Sequence, residues 1–513
     1  MPAVQEEGSS GQLFRWLQRT LLLLLAFGIR VSTLEAQGLW RDEVDQWRFA
    51  FQSPGELVAN FTRPGWNGPL YSPILRGWIA LSGQSVFAMR LLSVIWGVLT
   101  VSLVVVLAER ITRDCRTVAV AGVLVAFSPY LIWYAQEIKM YTWVPMLVVL
   151  ALYALDRACR KPRLVWWAVV LVATTLAVYS HILAALLIPV LVVWFFVHPA
   201  RGPRVWGGGL LVLAGLTLPY LPLLGWQAPL MLVQRQTGFP DYSLGQMTSA
   251  LLNGWSLGIS QGVWGTPSVT LAAMIVLGGL ACVGVLALGL TGLRRCTDAC
   301  TQWRTAVRLV VWCGLPLLGV WIISLRGPIF TDRYLIWSAP AFYILVAAGI
   351  VAVRRFSRPL GIAFIVALVI FNGHAWIAQA TVPIKPAFER AVRLVEDRRE
   401  ARDLLLFQIP YNHYVFDYYA TDGLGDWAEA PFTNWREADG SYRVGVDYVG
   451  QELRALLQGY DRVWLITSEA ALWDERELVK QWLTNSYVPL SVDDYPGVSV
   501  LLFGRPLPAD QTS

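Results

Sequence analysis

Six short stretches of this sequence mix acids, bases and aromatic rings in a way that plain helices and turns do not require. They are Arg30; Trp40-Arg41-Asp42-Glu43; Asn67 with Tyr71; Tyr134 to Tyr141, which reads YAQEIKMY; Tyr179-Ser180-His181; and Asp332-Arg333-Tyr334. A carboxylate such as Asp42 or Glu43 can take a proton from a hydroxyl. The cations Arg30, Lys139 and Arg333 can hold a phosphate, arginine through two parallel hydrogen bonds. Gln136, Glu137, Tyr141 and His181 offer polar atoms to a substrate. Each residue also has a plain reading. Asp42 and Glu43 can be solvated loop acids, Arg30, Arg333 and Lys139 can reach lipid headgroups, and His181 can be a wet turn residue.

Composition says what must position these groups. Of the 513 residues 56% are apolar and only 15% charged, against roughly 25% in an ordinary soluble domain. Mean hydropathy is +0.50, and the 25 Trp point the same way, towards lipid as the main solvent. A cytosolic enzyme, a disordered chain and a secreted disulfide scaffold are excluded. Charge is unevenly spread. Residues 383–513 carry 13 Lys/Arg and 21 Asp/Glu, and residues 1–382 carry 28 and 14. The sequence therefore reads as a basic membrane domain, 1–382, with an outer loop over 34–85, followed by an acidic soluble domain, 383–513. Basic residues beside spans are explained by orientation, so the net charge of +6 calls for no nucleic acid.

Apolar segments at 13–33, 86–108, 117–135, 140–156, 164–180, 182–198, 207–226, 267–293, 306–324, 334–353 and 359–381 predict about eleven membrane helices. One set of connecting segments (1–19, 109–116, 157–163, 198–204, 294–308, 354–358) holds 18 Lys/Arg. Outside 34–85, the opposite set holds Lys139, Arg235, Arg326 and Arg333. The first set is expected in the cytoplasm and the acidic tail outside. None of the six cysteines falls in the outer loops or the tail, so no disulfide is expected there. Cys296 and Cys300 have C-x3-C spacing but no second pair, which favours plain thiols over a metal. His198, at an inner end, is expected to play no part.

The outer stretches SPGELVANF and YSPILRGWIALSG suit short helices in the interface, with Trp40, Trp47, Trp66 and Trp78 at headgroup depth. The tail reads as α/β: helices over 386–400 and 474–485, strands over 404–407, 462–467 and 498–503. The polar groups named above gather at one level, the outer span ends, and the span middles are nearly free of them. A transporter is expected instead to carry polar residues at the midplane.

In order along the chain, LWRDEVDQW, NGPLYSPILRGWIALSG, VFAMRLLSVIWG, SPYLIWYAQEIKMYT, YSH at 179–181 and DRYLIWSAP resemble the GT-C glycosyltransferases of the protein O-mannosyltransferase type (glycosyltransferase family 39), a group that includes the lipid A aminoarabinose transferases. The resemblance covers about residues 20–350. It departs from the family at Asn67-Gly68, where members often carry His or Lys with a Pro pair, and at Lys139, where many carry Arg. It implies an all-α polytopic fold with a small extracytoplasmic α/β domain. It also implies a polyprenyl-phosphate sugar as donor and Asp42 as the acceptor base, with Glu43 beside it. Arg333, Lys139 and Arg30 fall to the donor phosphate, and Asn67, Tyr71, Gln136, Glu137, Tyr141 and His181 to the substrate.

The chemistry suits these residue types. A base takes the acceptor proton as the hydroxyl attacks the anomeric carbon, and cations stabilise the departing phosphate. One displacement with one base inverts the anomeric centre. No cofactor is expected. An oxygen-rich divalent site from Asp42, Glu43 and Glu137 is possible chemistry but not the favoured one. The expected partners are the lipid-linked donor, membrane lipid and an extracytoplasmic glycan, lipid or protein acceptor, in a bacterial inner membrane. The rival readings are a transporter or flippase of lipid-linked sugars and a membrane-anchored binding or sensor protein.

Overall fold

A computed structural model describes residues 9–63, 68–232, 239–259, 267–294, 299–437 and 439–507. The chain forms two compact units. One is residues 1–34 with 49–380, and the other is residues 35–48 with 381–513. The tail unit thus takes in 35–48, the start of the segment read from sequence as an outer loop of the membrane domain.

In the first unit every segment expected to cross the membrane is helical. Six helices are long and apolar enough to do so by length and composition: Val86–Thr112, Pro203–Gln227, Ser268–Leu290, Gln302–Ser324, Asp332–Phe356 and Arg358–Thr381. Cys115–Phe127, Leu164–Ser180 and Ile182–Val197 are shorter and apolar. The two remaining expected spans, 13–33 and 140–156, are formed for the most part by Ser9–Ser32 and Trp143–Arg160. Burial sorts them. The apolar stretch of Asp332–Phe356 is 89% buried and that of Pro203–Gln227 only 17%, so the first is the core of this unit and the second its lipid-facing rim. The core contact is a glycine contact. A Cβ on Gly284 would overlap the Leu345 carbonyl, and one on Gly349 the Leu280 carbonyl. Only glycine lets these two backbones come so close.

Three of the expected spans lose regular α-geometry at one end. The segment 117–135 stops at Phe127, because Pro129 has no N–H to continue the helix. Ser128 then caps a short helix, Pro129–Tyr134, accepting from the Leu131 amide at 3.2 Å. Ile182–Leu186 and Asp332–Ser338 are 3-10 turns that lead into Leu187–Val197 and Ala339–Phe356. Side chains satisfy the freed carbonyls, as bilayer-depth backbone requires. Gln379 donates to the Pro129 carbonyl at 3.0 Å and the Trp312 indole to that of Trp337 at 3.0 Å. The two half-apolar outer stretches are helices, Pro54–Phe61 behind a Ser53/Glu56 capping box and Tyr71–Ser82.

The second unit is built on one sheet: β1 (Asp403–Phe407), β2 (Trp427–Glu429), β3 (Arg462–Thr467), β4 (Tyr487–Tyr495) and β5 (Val498–Pro506), in the order β2-β1-β3-β5-β4. β1 runs parallel to β2 and β3, and β5 antiparallel to β3 and β4. Leu404, Leu406, Val463, Leu465 and Phe503 form its core with Leu453, Val479 and Trp482 from the covering helices. β2, β4 and the helices Asn412–Tyr419 and Val446–Leu456 add to the elements expected from sequence.

Candidate active site

The loop between Pro129–Tyr134 and Trp143–Arg160 carries four of the eleven candidate residues, Gln136, Glu137, Lys139 and Tyr141. Tyr130, Tyr134 and Tyr141 stand edge to face, with ring centroids 5.0 and 5.3 Å apart. The Arg333 guanidinium carbon lies 5.8 Å from the centre of the Tyr141 ring. His181 packs on Tyr334 at 4.7 Å. Stretches about 40 and 190 residues further along the chain therefore come together beside the YAQEIKMY loop. A Cβ on Gly254 would touch both Tyr130 and the Asp332 carboxylate, so Asp332 borders the same tyrosines.

Hydrogen bonds fix the loop from beneath. Ser93 Oγ donates to the Glu137 carbonyl at 2.6 Å and lies 3.5 Å from the Tyr71 hydroxyl. Gln136 donates to the Arg30 carbonyl at 2.8 Å and to Thr33 at 2.7 Å. The P-L-Y segment joins from the other side. The Gly68 and Leu70 amides donate to the carbonyls of Ser180 and Tyr179, each at 3.2 Å. A Cβ at Gly68 would collide with the Tyr179 carbonyl, so this approach requires glycine. Asn67 lies outside the described residues.

The charge in this place is buried. Glu137 is 1% exposed and Lys139 4%. Among the described residues Lys139 makes no ion pair. A buried ammonium without a carboxylate partner is costly, and a phosphate would relieve that cost. His181 is held neutral: burial, and then the Arg333 guanidinium, push its pKa down to about 4. An unfolded histidine titrates near 6.5, so between about pH 4 and about pH 6.5 only the unfolded chain takes up this proton. Stability is complete above that window and falls as pH drops through it, by about 3 kcal/mol. Thermal unfolding in detergent should show this acid-side loss, and His181→Asn should flatten it. An unchanged slope in the variant would remove His181 as its source.

Two expected site residues have partners within the chain. Arg30, placed at the donor phosphate by resemblance, donates to the carbonyls of Ala26 at 3.0 Å, Ala126 at 2.9 Å and Val125 at 3.4 Å. It caps the last turn of Cys115–Phe127, where the helix dipole favours a cation. Glu43 is in the second unit and fully buried, 2.7 Å from Lys385 Nζ. Lys385 also stands 5.9 Å over the Trp40 ring. Sequence reading missed Lys385; its being one of only four lysines was the available signal. Asp42, also in the second unit, is less buried and lies 4.0 Å from its neighbour Arg41, which reaches Glu469 at 3.4 Å. Both acids sit in the first turn of Arg41–Ala50, where a helix favours negative charge. Among the described residues no three His, Cys, Asp or Glu gather as metal ligands.

Residues 64–226 match the family described as dolichyl-phosphate-mannose-protein mannosyltransferase. An undecaprenyl phosphate-alpha-4-amino-4-deoxy-L-arabinose arabinosyl transferase of Pseudomonas aeruginosa is 31% identical over 215 residues, 39% of this chain and 39% of that protein. A second such transferase, of Pseudomonas fluorescens, is 33% identical over 218 residues, 39% and 37% of the two chains. The matched part thus spans about two fifths of these relatives' length. Similarity of fold reaches further. ArnT from Cupriavidus metallidurans bound to undecaprenyl phosphate superposes with a TM-score of 0.59 at 14% identity, over 96% of this chain and 98% of that one. The Archaeoglobus fulgidus oligosaccharyltransferase does so at 0.57 and 12%, over 94% and 74%. The resemblance drawn from the sequence is thus matched twice: residues 64–226 are similar to the mannosyltransferase family, and the chain as a whole shares the fold of ArnT and of the oligosaccharyltransferase.

Proposed function

We propose that this chain is a membrane glycosyltransferase that moves a sugar from a polyprenyl-phosphate carrier to an extracytoplasmic acceptor. One observation carries the reading: Lys139, buried and without an ion pair among the described residues, lies in the loop whose Tyr141 ring meets Arg333, at a single end of the membrane helices. A phosphate ester needs cations there, and low polarity strengthens their effect on developing charge. The names of the similar proteins, which pair a sugar with undecaprenyl phosphate, support the same donor class, with a pentose favoured over a hexose.

In the proposed reaction Asp42 takes the acceptor hydroxyl proton as that oxygen bonds to the anomeric carbon. The bond from that carbon to the phosphate oxygen breaks, and the polyprenyl phosphate leaves with its extra negative charge held by Arg333 and Lys139. The anomeric centre inverts. Glu43, paired with Lys385, sets the start of the helix that carries Asp42, and Arg30 holds the helix end beside the Gln136 loop. Asn67, Tyr71, Gln136, Glu137, Tyr141 and His181 are assigned to the sugar and acceptor. The basic-loop pattern supports a tail outside the cytoplasm of a bacterial inner membrane. A strain deleted for this chain should accumulate the sugar-charged polyprenyl phosphate, and the wild-type gene should clear it. An unchanged lipid-linked pool would count against the donor.

A further inference from the structure

A second charge cluster, unused by the proposed reaction, sits at the other end of the same helices. Trp143, whose indole donates to Ser180 of the candidate site at 3.0 Å, opens the helix Trp143–Arg160. Asp156 lies about 20 Å further along it, at 1.5 Å per residue. The buried Asp156 carboxylate meets Arg110 Nε at 2.8 Å, Arg160 Nε at 2.9 Å, Arg308 at 3.8 Å and His198 Nε2 at 3.5 Å. One carboxylate thus faces three guanidinium groups, which leaves two positive charges without an acid among the described residues. Arg308 is 4% exposed, and its Nε and one terminal nitrogen make no hydrogen bond among the described residues. A buried guanidinium with unfilled donors is costly unless an anion takes them. Arg160 and Arg110 are part-exposed and open the cluster to the outside.

An apolar cavity of about 150 Å³ adjoins this cluster. Leu155, the neighbour of Asp156, lines it with Phe195, Trp206, Leu210 and Leu213. Phe195 follows Trp194, whose indole donates to the Arg308 carbonyl at 2.9 Å. Leu210 and Leu213 are exposed on the outer side, as lipid-facing residues are. Cations at a span end beside an apolar slot match an amphiphile with a phosphate head.

We propose that this place binds an anionic phospholipid, its phosphate on Arg308, Arg160 and Arg110 and an acyl chain in the cavity. The site is separate from the candidate active site and from its Arg333. The test uses the full chain purified in neutral detergent, titrated with dioleoylphosphatidylglycerol, dioleoylphosphatidylcholine or inorganic phosphate and followed by thermal unfolding and native mass spectrometry. Phosphatidylglycerol should bind and raise the melting temperature; phosphatidylcholine and inorganic phosphate should do neither. Arg308→Gln with Arg160→Gln should weaken phosphatidylglycerol binding about tenfold or more. Arg160→Gln alone, at a part-exposed position, should weaken it less and serves if the double variant does not fold. Asp156→Asn removes the competing acid, so it should lower the starting melting temperature yet keep or tighten lipid binding. Phosphatidylglycerol binding unchanged in both arginine variants would overturn the site. Loss of binding in Asp156→Asn would make the cluster a tie between helices. A full effect from inorganic phosphate would overturn the lipid.

Discussion

Arg333→Ala is expected to lower sugar transfer by about a hundredfold or more, the effect of losing roughly 3 kcal/mol of stabilisation of developing charge. Arg333 lies against Tyr141 and near the neutral His181, with Lys139 buried in the same loop. Such a low-polarity setting makes a cation count for more than it does in water. Arg333→Lys should be intermediate, because lysine restores the charge but not the two-pronged hydrogen bonding. Lys139→Ala should be impaired as well. If Arg333 only meets lipid headgroups, Arg333→Lys will be nearly silent. Unchanged rates in both alanine variants, at matched expression, would leave the leaving phosphate without a partner and end this mechanism.

Asp42→Asn should abolish transfer and leave folding intact, since it keeps the shape and removes proton acceptance. Its neighbour should behave in the opposite way. Glu43 and Lys385 form a buried ion pair at 2.7 Å. Lys385→Met strands the Glu43 carboxylate away from water, and breaking such a pair costs about 3–5 kcal/mol. The Lys385→Met protein should therefore melt lower in detergent, and its loss of transfer should follow its loss of folded protein. Transfer within a few-fold of wild type in Asp42→Asn would remove it as the base. An unchanged melting temperature in Lys385→Met would remove the pair as a prop of that helix.

The sequence made the long helices legible because each is an apolar run of membrane length, and loop arginines ordered them. It also brought YAQEIKMY, YSH and DRY to one level by counting spans, and the structure puts all three together. What escaped depends on partners remote in sequence. The acceptors for Arg30 are carbonyls as far as 96 residues away, and Lys385 meets Glu43 across 342. No periodicity encodes either contact. The break at Ser128-Pro129 was hidden inside an apolar run, although a proline there stops a helix. In the tail, β2 has three residues, and β4 is an exposed edge strand with Pro489, Asp493 and Asp494, residues that strands usually avoid. The helix Val446–Leu456 shows Val449 and Leu453 at helical spacing and could have been read.

Transfer by the purified chain from a defined polyprenyl-phosphate sugar in detergent tests the proposed chemistry most directly. Product and released polyprenyl phosphate should appear in equal amounts with wild type and with neither Asp42→Asn nor Arg333→Ala, at matched protein. Release of carrier at the same rate in all three proteins, or no transfer by folded wild type from any polyprenyl-phosphate sugar offered, would contradict it.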